Sequence, residues 1–591
     1  MSVKIDYSRD KLLTDFSIKT LQDRYMVGDE KSPQEAFARA AEAFADDDDH
    51  AQRIYDYASK LWFMFATPVL SNGGTNRGLP ISCFLNYVED SREGITGHYT
   101  ENAFLSSFGG GIGGSWSDVR SSGTRTSKGS ESTGVIPFVK VVDAEMLAFS
   151  QGVTRRGSYA AYLHITHPEI EEFLDGRKPT GGDSNRKFLN LHHGIVISDA
   201  FMETIHKATK QEGFDDSWEL IDPHTKEVKK VVSARALWVK ILQNRMETGE
   251  PYIMFEDAVN NELPDFQQRK GLYVNHSNLC SEITLPTNEE RTAVCCLSSV
   301  NLEYYDEWKN NPAFIPDLVR FLDNVLESFI NEAPSQLEKA KYSAYRERSI
   351  GLGAMGFHAY LQKNNIPFEG ALASAANYEI FENIKSRAIA TTRQLAVERG
   401  ACPDDDTCSV RNAHLLAIAP NASSSIICGN TSPSIEPYRA NAFTQKTKSG
   451  SFLQKNKYLD QLLMQKIGHG PTYDETWKSI VLNKGSVQHL DVLSDDEKEV
   501  FKTAVEINQA WLIEHASERQ QFICQSQSLN LFFPPDVNKG DLHNIHMLAW
   551  AKNLKTLYYL RSEAISRADN VSSTAKREII FEQSDCLSCE G

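Results

Sequence analysis

The chain has 591 residues, and its 79 Asp and Glu exceed its 62 Lys and Arg, which gives a formal net charge of −17. This length predicts roughly two to four domains or one large barrel with additions, and the negative charge argues against a general nucleic-acid or membrane-surface binder. Hydrophobic residues make up 41% of the chain, which excludes global disorder.

The first seventy residues have a helical pattern and contain no apolar signal core. Because no apolar run in the chain approaches the ~18–20 residues of a membrane helix, we expect a cytoplasmic protein with reduced thiols. A capping box at residues 32–35, with proline at the first helical position, predicts a helix to Phe44. The acidic run 46–49 predicts a solvated loop, and residues 51–66 predict a second amphipathic helix. We therefore predict a helical domain over residues 1–70.

From about residue 67, short apolar runs alternate with glycine-rich or serine-rich turns and helical segments, which is typical of an α/β protein. Strand-like runs include residues 194–197, 415–419 and 425–427. The alternation continues without a clear linker, which favours one large barrel or sheet with insertions. Residues 121–134 are polar and contain several glycines, which predicts a long flexible loop.

The C-terminal part divides into a helical pattern over residues 543–567 and a polar end that predicts a mobile tail. We accordingly place a catalytic α/β domain at residues 71–565 and the tail at residues 566–591. The ten cysteines are far too few for a disulfide scaffold, and two of them, Cys586 and Cys589, form a C-x-x-C within the tail.

A formal G-x-G-x-x-G occurs at residues 109–114. A dinucleotide site would need a strand before it and a helix after it, but the preceding segment has a helical pattern. A tight backbone crossing, or close approach to a flat ligand, fits these glycines better.

The pentapeptide 278–282 contains an amide, a thiol and a carboxylate at alternate positions, Asn278, Cys280 and Glu282. In an extended chain these side chains point to one side, over roughly 13–14 Å at about 3.3 Å per residue. An amide that orients a substrate, a reactive thiol and a general base form a workable catalytic set. A buried cysteine between two surface polar residues explains the spacing equally well.

Three further motifs also have ordinary explanations. Cys586 and Cys589 have thiol–disulfide spacing, as in a mobile dithiol that carries electrons to a buried site, or form an incidental pair. Tyr558 and Tyr559 fall in the helical pattern, where aromatic packing alone explains them. The small residues 420–425 predict either a phosphate-binding turn or an ordinary one.

Taken together and in chain order, these motifs resemble the large, catalytic subunit of class I ribonucleotide reductase, from about residue 10 to the C-terminus. The resemblance rests on segments 67–71 and 82–83, 278–282, 293–302, 420–425, 557–559 and 586–589. It implies a ten-stranded α/β barrel with a central finger loop, preceded by a small helical domain. It also implies reduction of ribonucleoside diphosphates to 2′-deoxyribonucleotides for DNA synthesis.

The resemblance implies a role for each catalytic residue. Cys280 becomes a thiyl radical and removes the 3′ hydrogen, Glu282 takes the 3′-hydroxyl proton, and Asn278 holds the substrate. Cys83 and Cys295 supply two reducing equivalents and end as a disulfide, where spacing to the following residues favours Cys295 over its neighbour Cys296. The remaining cysteines are expected to be packing residues: Cys296, Cys402, Cys408, Cys428 and Cys524.

The implied partners supply the radical and the electrons. A ferritin-like small subunit with its own metal centre passes a radical through Tyr559 and then Tyr558 to Cys280, so this chain needs no metal ligands and no covalent cofactor. Cys586 and Cys589 reduce the active-site disulfide, and thioredoxin or glutaredoxin reduces them in turn. A homodimer is the family expectation.

Substrate and effector sites are also implied by resemblance. The substrate-binding residues are Asn278 together with Thr67, Ser82, Arg156, Pro420, Asn421, Ala422, Ser423 and Ser424. The last of these segments departs from the family at Asn421 and Ala422, where many relatives have Ser and Glu. A deoxynucleoside triphosphate or ATP, bound with Mg²⁺, sets substrate preference through Asp90, Ser91, Ile95 and Arg120, beside loop 121–134. The loop 152–157 passes this signal to the substrate.

Two further expectations concern regulation and class. Many relatives begin with an ATP-sensing helical module, whereas this sequence starts almost directly at the catalytic part, so we predict no on/off control by ATP and dATP through such a module. The alternative function is a class II, adenosylcobalamin-dependent reductase, which would share the barrel, the thiyl cysteine and the dithiol but would not need the tyrosine pair.

Overall fold

A computed structural model describes residues 3–151, 155–447, 450–562 and 580–581. The strands in these ranges are β1 (Phe63–Phe65), β2 (Cys83–Tyr87), β3 (Gly111–Ser115), β4 (Ser150–Gln151), β5 (Arg155–Arg156), β6 (Ser158–His164), β7 (His192–Ile197), β8 (Ser217–Ile221), β9 (Val228–Ser233), β10 (Tyr252–Phe255), β11 (Ala293–Asn301), β12 (Ile350–Met355), β13 (Ala442–Thr447), β14 (Gly450–Lys455), β15 (Leu531–Phe533), β16 (Thr556–Leu557), β17 (Leu560–Ser562) and β18 (Ile580–Phe581).

The α-helices in the same ranges are α1 (Asp15–Arg24), α2 (Pro33–Phe44), α3 (Asp48–Ser59), α4 (Thr67–Asn72), α5 (Arg92–Ser107), α6 (Ile136–Ala148), α7 (Ile170–Asp175), α8 (Asp199–Lys210), α9 (Ala234–Thr248), α10 (Glu256–Asn261), α11 (Asp265–Arg269), α12 (Tyr305–Trp308), α13 (Phe314–Glu332), α14 (Glu338–Glu347), α15 (Phe357–Lys363), α16 (Ala371–Arg399), α17 (Ala422–Ile427), α18 (Lys457–Ile467), α19 (Pro471–Leu482), α20 (Asp495–Val500), α21 (Gln509–Gln520) and α22 (Lys539–Ala551). No helix in the described ranges is long and apolar enough to cross a membrane.

The N-terminal helices agree with the sequence prediction except at one end. The Ser32 side chain caps α2 by accepting a hydrogen bond from the Gln34 N–H over 3.1 Å, with proline at the first helical position. The predicted second helix is shorter than expected, because α3 ends at Ser59 and Leu61 takes a left-handed conformation (φ 62°) before β1. Tertiary pairing of β1 with β11 therefore overrides the helical periodicity there.

The acidic run 46–49 is exposed as predicted, but only its first two residues form a loop. Asp47 caps α3 by accepting a hydrogen bond from the His50 N–H over 2.7 Å, so the helix already begins at Asp48. Asp46 forms an ion pair with Arg399 over 2.6 Å. The run thus caps α3, since short acidic side chains are good N-caps. Its ion pair with Arg399 also links this region to the end of α16.

The main sheet is mixed and has nine strands in the described ranges, in the order β1-β11-β2-β3-β6-β7-β10-β16, with β12 beside β11. Strands β2, β3, β6, β7 and β10 run parallel to one another, as do β11 and β12. Strand β2 meets β11 antiparallel, so two parallel halves join at that line. The central strands are buried along their length, as expected when helices cover a parallel sheet. The predicted α/β fold class is confirmed.

Two short apolar runs do not form the strands that the sequence predicts. Residues 415–419 make only single parallel bridges, from Leu416 to β12 and from Ile418 to Gln527, and so extend the sheet without forming a regular strand. Residues 425–427 were predicted as a strand but lie in helix α17. A run of three apolar or small residues carries too little periodicity to separate the two states.

The helix predicted over residues 543–567 ends at Ala551, so this prediction is wrong for residues 552–562. Asn553 takes a left-handed conformation (φ 56°), and the chain then adds β16 antiparallel to β10 and β17 parallel to β15. Tyr558 and Tyr559 therefore lie between two short strands, where both rings are buried. The tail dithiol Cys586/Cys589 lies outside the described residues.

In the described residues, the buried apolar side chains form a main core and two smaller clusters, one around α18 and α19 and one around the segment 278–282. We call the one around 278–282 the inner cluster; its members are Ala160, Tyr162, Val196, Tyr252, Met254, Val259, Leu263, Val274, Leu279, Cys280, Tyr558 and Tyr559. It places a cysteine and four tyrosines within one enclosed apolar region.

Candidate active site

The segment 278–282 forms a tight turn, not the extended row that the sequence predicted. Ser281 takes a left-handed conformation (φ 65°), and the Asn278 side-chain oxygen accepts a hydrogen bond from the Ile283 N–H over 3.1 Å. The turn brings Asn278 and Glu282 together instead of spacing them roughly 13–14 Å apart. Extended geometry fails here because the surrounding side chains fix the backbone. We call residues 276–283 the finger loop.

Hydroxyl groups from the surrounding chain hold the backbone of the finger loop. Three carbonyls are each the acceptor of one hydroxyl: Tyr162 Oη donates to Asn278 O (2.8 Å), Ser528 Oγ to Cys280 O (2.5 Å) and Thr556 Oγ1 to Ser281 O (2.7 Å). These bonds satisfy buried backbone groups that no sheet or helix could satisfy. They fix the position of Cys280, which is only 3% exposed.

The glycines at 109–114 let the finger loop cross closely over β3. A Cβ atom at Gly113 would overlap the carbonyl oxygen of Ser277 and lie 2.8 Å from Asn278 Cα. One at Gly111 would lie 2.9 Å from a Leu279 methyl carbon. The backbone crossing expected from sequence is therefore present, and these residues form a strand instead of a phosphate-binding turn.

Cys83 and Cys295 lie directly opposite each other on adjacent strands. They are Cα partners in the antiparallel pair β2–β11, where partners lie about 4.5–5.5 Å apart. That separation falls within the about 4.4–6.8 Å that a disulfide requires. Cys296 instead pairs with Ile350 on β12 and points to the other face of the sheet. This register favours Cys295 over Cys296 as the partner of Cys83.

Glu282 lies beside this thiol pair. The Cys83 thiol donates to Glu282 Oε1 over 3.9 Å, Ser528 Oγ donates to Oε2 over 3.3 Å, and the Asn278 amide donates to Cys83 Sγ over 3.5 Å. Burial raises the pKa of Glu282 to about 7, although the nearby hydrogen-bond donors oppose the shift. A carboxyl group that titrates near neutral pH can accept and return a proton during turnover.

Several groups that complete the site belong to no motif that sequence analysis singled out. Gln525 donates through its amide to Cys295 Sγ over 3.7 Å, and the backbone N–H of Ser526 donates to Glu282 O over 2.8 Å. The three hydroxyl donors to the finger loop likewise come from separate parts of the chain. The run of polar residues at 525–528, shortly before the apolar strand β15, is the one local signal that points to buried polar groups there.

Three of the four tyrosines of the inner cluster, Tyr252, Tyr558 and Tyr559, lie in ring contact with one another. The ring centroids of Tyr558 and Tyr559 are 4.3 Å apart, and that of Tyr252 lies 4.8 Å from Tyr558 and 5.0 Å from Tyr559. Cys280 belongs to the same buried cluster as these rings. Tyr558 is 1% exposed and Tyr559 is 7% exposed, so Tyr559 is the outer of the pair.

Comparison with known proteins assigns this arrangement to a family. The model of the ribonucleotide reductase barrel domain matches residues 81–407 and 406–560, and that of the ribonucleotide reductase all-alpha domain matches residues 11–78. The chain belongs to the ribonucleotide reductase family. The resemblance seen in the sequence and the predicted barrel are thereby confirmed, and the chain is an enzyme of that family.

Individual relatives agree with this assignment. The "Ribonucleoside-diphosphate reductase large subunit" of Invertebrate iridescent virus 3 is 45% identical, with all of both chains covered. The "Putative ribonucleoside-diphosphate reductase large subunit" of Frog virus 3 is 47% identical over 92% of each chain. Among solved structures, the class Id ribonucleotide reductase alpha subunit of Actinobacillus ureae has a TM-score of 0.82 and 34% identity, covering 95% of this chain and 100% of its own. These matches support class I and give no support to the class II alternative.

Three of the residues expected to bind the ribonucleotide, Thr67, Ser82 and Arg156, differ in where the structure places them. Ser82 Oγ lies 3.5 Å from Cys83 Sγ, whereas Thr67 begins α4 and its hydroxyl lies 3.2 Å from that of Tyr25. Arg156 lies in β5 opposite Ser150, and its side chain is outside the described part of the structure. Ser82 is thus the residue of these three that the described contacts place against the thiol pair.

The expected phosphate-binding turn lies immediately before and within the start of α17. Asn421 takes a left-handed conformation (φ 54°), and its side-chain amide forms a hydrogen bond of 2.9 Å with Ser299 Oγ. The Asn421 side chain therefore contributes to the protein's own packing at a position where the sequence departs from the reductase family. The other expected residues flank it, with Pro420 before the turn and Ala422, Ser423 and Ser424 in the first turn of the helix.

The expected effector residues form a cluster at the surface end of β2 and β3. Arg120 pairs with Asp90 over 2.9 Å, Ser91 caps α5, and Ile95 is buried in that helix. His224, which sequence analysis did not select, lies 3.2 Å from Asp90. The cluster therefore combines a carboxylate, a guanidinium group and an imidazole beside the N-terminus of α5.

The polar loop 121–134 contains no regular helix or strand, as predicted. Its first residues are nevertheless anchored, because the buried Asp222 carboxylate accepts hydrogen bonds from the hydroxyls of Ser121 over 2.6 Å and Thr124 over 2.7 Å. The beginning of the loop is therefore fixed next to the effector cluster.

Metal binding is not suggested by the described side chains. Within residues 3–151, 155–447 and 450–562, no three His, Cys, Asp or Glu side chains are placed to hold a metal ion. The expectation about ATP control and the dithiol of the tail stay predictions.

Proposed function

We propose that this chain is the catalytic large subunit of a ribonucleoside-diphosphate reductase, which receives a radical from a separate small subunit. The observation that supports this most directly is the finger loop, which holds Cys280 between the tyrosines of the inner cluster and the group formed by Cys83, Cys295 and Glu282. The names of the relatives, as large or alpha subunits of such reductases, point the same way.

The first chemical step falls to Cys280 and Glu282. A thiyl radical at Cys280 takes the hydrogen atom from C3′ of the ribose, and the Glu282 carboxylate accepts the proton of the 3′-hydroxyl group. The hydroxyl group at C2′ then leaves as water. A pKa near 7 suits Glu282 to this task, because the group is ionised in part of the population and can return the proton afterwards.

The thiol pair supplies the reduction. Cys83 and Cys295 together give two electrons and two protons and become a disulfide, while Cys280 returns its hydrogen atom to C3′. The balance is one ribonucleotide and two thiols consumed, and one deoxyribonucleotide, one disulfide and one water formed. Their opposite positions on β2 and β11 allow the S–S bond to form without rearranging the sheet. The tail dithiol, followed by thioredoxin or glutaredoxin, would restore the thiols.

Radical transfer into the site is assigned to the tyrosine pair. The outer Tyr559 exchanges an electron with the small subunit, and the radical passes to Tyr558, whose ring centroid lies 4.3 Å away. Tyr558 then passes the radical to Cys280. Burial of the cluster excludes water, which protects a reactive radical from side reactions. At the Asp90 and Arg120 cluster, a nucleoside triphosphate with Mg²⁺ would set the substrate preference, and two copies of the chain would form the homodimer.

The test is reconstitution with a small subunit and a ribonucleoside diphosphate, measuring deoxyribonucleotide formation. Cys280→Ser should abolish turnover, because the hydroxyl group cannot replace the thiyl radical. Cys402→Ser is the matched control, since Cys402 is also a buried thiol, lies far from Cys280 in the sequence and is assigned to packing. Full activity of Cys280→Ser would contradict the proposal. Turnover by the chain alone with adenosylcobalamin would favour the class II alternative.

A further inference from the structure

A partly exposed cysteine outside the thiol pair is surrounded by hydrogen-bond donors. The backbone N–H groups of Leu415 and Leu416 donate to Cys524 Sγ over 3.0 Å and 3.2 Å. Two N–H groups that converge on one atom form the kind of concavity that binds an anion, so the backbone here favours an ionised thiol. Cys524 is expected from sequence to be a packing residue, and none of the steps proposed for the reductase uses it.

A buried histidine supplies a third donor to the sulfur. His414 Nε2 lies 2.9 Å from the side-chain oxygen of Gln267, which can only accept, so Nε2 carries a hydrogen. The ring forms a hydrogen bond that favours ionised Cys524, and Nδ1 is buried with no other hydrogen-bond partner in the described residues. With a hydrogen on each nitrogen, His414 is an imidazolium paired with a thiolate. Pairing of this kind activates nucleophilic cysteines.

Positive charge around Cys524 outweighs its burial. Burial opposes ionisation, but the charge of Lys385 and the hydrogen bond and charge of His414 hold the pKa of Cys524 well below its usual range. The buried Lys555 ammonium donates to Cys524 O over 2.8 Å and adds a second lysine at this position. Among the described residues, the sulfur meets a single acceptor, Leu416 O at 3.6 Å. Three donors against one acceptor keep the thiol ionised.

The residues that follow Cys524 hold the active site in place. Its neighbour Gln525 donates to Cys295 Sγ over 3.7 Å, and Ser528 Oγ donates to Cys280 O over 2.5 Å. A change at the Cys524 sulfur therefore reaches two active-site cysteines through only a few residues of chain.

We propose that Cys524 is a redox modification site, at which hydrogen peroxide oxidises the thiolate to a sulfenic acid and thereby switches the reductase off. The thiolate attacks one peroxide oxygen, so an S–O bond forms and the O–O bond breaks. Sulfur loses two electrons to the peroxide, and the proton of the His414 imidazolium joins the leaving hydroxide to give water. A dithiol reverses the change, because it forms its own disulfide and releases the oxygen as water.

Oxidation changes both the charge and the size of the Cys524 side chain. The sulfenic acid is neutral and one oxygen larger, so it loses the ion pair with His414 and crowds the two N–H groups. A close-packed interior cannot take an extra atom without movement. The movement falls on residues 525–528, and a misplacement of about 1 Å can lower a rate by roughly a hundredfold. The loss of activity rests on the proposed function, whereas the reactivity of the thiolate does not.

Thiolate reactivity is measured on the full chain by iodoacetamide labelling at pH 6, followed by peptide mass spectrometry. Cys408 is exposed and Cys524 is only partly exposed, so access alone predicts faster labelling of Cys408. A thiolate at Cys524 should reverse this order by about tenfold or more. Labelling of Cys524 no faster than that of Cys408 would overturn the inference.

Dimedone, which caps sulfenic acids irreversibly, tests the switch. The chain is treated with hydrogen peroxide and dimedone, freed of both, and assayed with the small subunit and a dithiol that restores any active-site disulfide. Turnover should fall by about tenfold or more in the unsubstituted chain and in Cys408→Ser. Cys524→Ser should stay within about twofold of its untreated activity, because its hydroxyl group still accepts from the two N–H groups and cannot be oxidised in this way.

Three results of the dimedone experiment would overturn the inference. They are an equal loss of turnover in Cys524→Ser and the unsubstituted chain, the absence of a dimedone adduct at Cys524, and full activity of a chain that carries this adduct. Failure of the proposed function would look different. The untreated chain would then show no turnover with the small subunit, while Cys524 would still be labelled faster than Cys408.

Discussion

The two sides of the finger loop differ in chemistry although one short turn joins them. On one side the inner cluster is aromatic, with Tyr252, Tyr558 and Tyr559 in ring contact. On the other side lie Cys83 and Glu282, with a carboxyl group whose pKa burial raises to about 7. In the proposed mechanism, this difference separates one-electron transfer from the steps that move protons and electron pairs, with Cys280 as the group common to both.

The largest loss of activity is expected from a substitution among the tyrosines of the inner cluster. Tyr558→Phe keeps the ring but removes the hydroxyl group to which we assign the radical, so turnover should fall by on the order of a thousandfold or more, as when a reacting group is deleted. Nucleotide affinity, measured by equilibrium binding, should stay unchanged. Tyr252→Phe is the control, because it preserves the packing of the third ring. Equal losses in both variants would show that the Tyr252 hydroxyl also takes part.

The thiol side should respond differently to two neighbouring substitutions. Cys295→Ser removes the partner of Cys83 and should stop deoxynucleotide formation, whereas Cys296→Ser changes a thiol on the opposite face and should leave it intact. Counting thiols after a single turnover should show two fewer in the unsubstituted chain and in Cys296→Ser. The reverse pattern would assign the reducing role to Cys296.

The pH dependence of activity tests the role proposed for Glu282, which lies beside the thiol pair. The base acts in its ionised form, so kcat/KM should rise as the pH increases toward about 7 and level off above it. Glu282→Gln should lose this rise and lower activity by roughly a hundredfold. A profile that still bends near neutral pH in the Gln variant would assign the titration to another group.

A smaller effect, on stability, is expected where the finger loop crosses β3. Gly113→Ala would force a methyl group against the carbonyl oxygen of Ser277, so the loop must shift and the free energy of unfolding should fall by about 1–3 kcal/mol. Gly97→Ala, in the open on α5, is the control and should be neutral or slightly stabilising. Thermal denaturation of both variants measures the difference, and equal melting temperatures would show that the close crossing is tolerant.

Local patterns in the sequence predict some features of the structure correctly and fail to predict others. The capped helix α2 follows from residues within a few positions of each other, and the motifs of the reductase family mark Cys280, Cys83 and Cys295. The turn at Ser281 could not be predicted, because its left-handed backbone is held by hydroxyl groups from distant parts of the chain.

A partner of Tyr559 was also out of reach of sequence analysis. His192, whose Nδ1 lies 3.2 Å from Tyr559 Oη, comes far earlier in the chain and belongs to no motif of its own. The helical pattern over residues 543–567 further misdirected the prediction, since β16 and β17 form only through pairing with β10 and β15. Propensity cannot report a strand whose stability comes from its neighbours.

The position of β16 and β17 has a consequence for the order in which the enzyme can become reactive. These strands follow almost all of the barrel in the chain, and they position Tyr558 and Tyr559 in the cluster around Cys280. If the proposed radical route runs through these tyrosines, a chain still emerging from the ribosome can pair Cys83 with Cys295 before that route exists. The thiyl radical would then form only after the buried cluster that encloses it is complete.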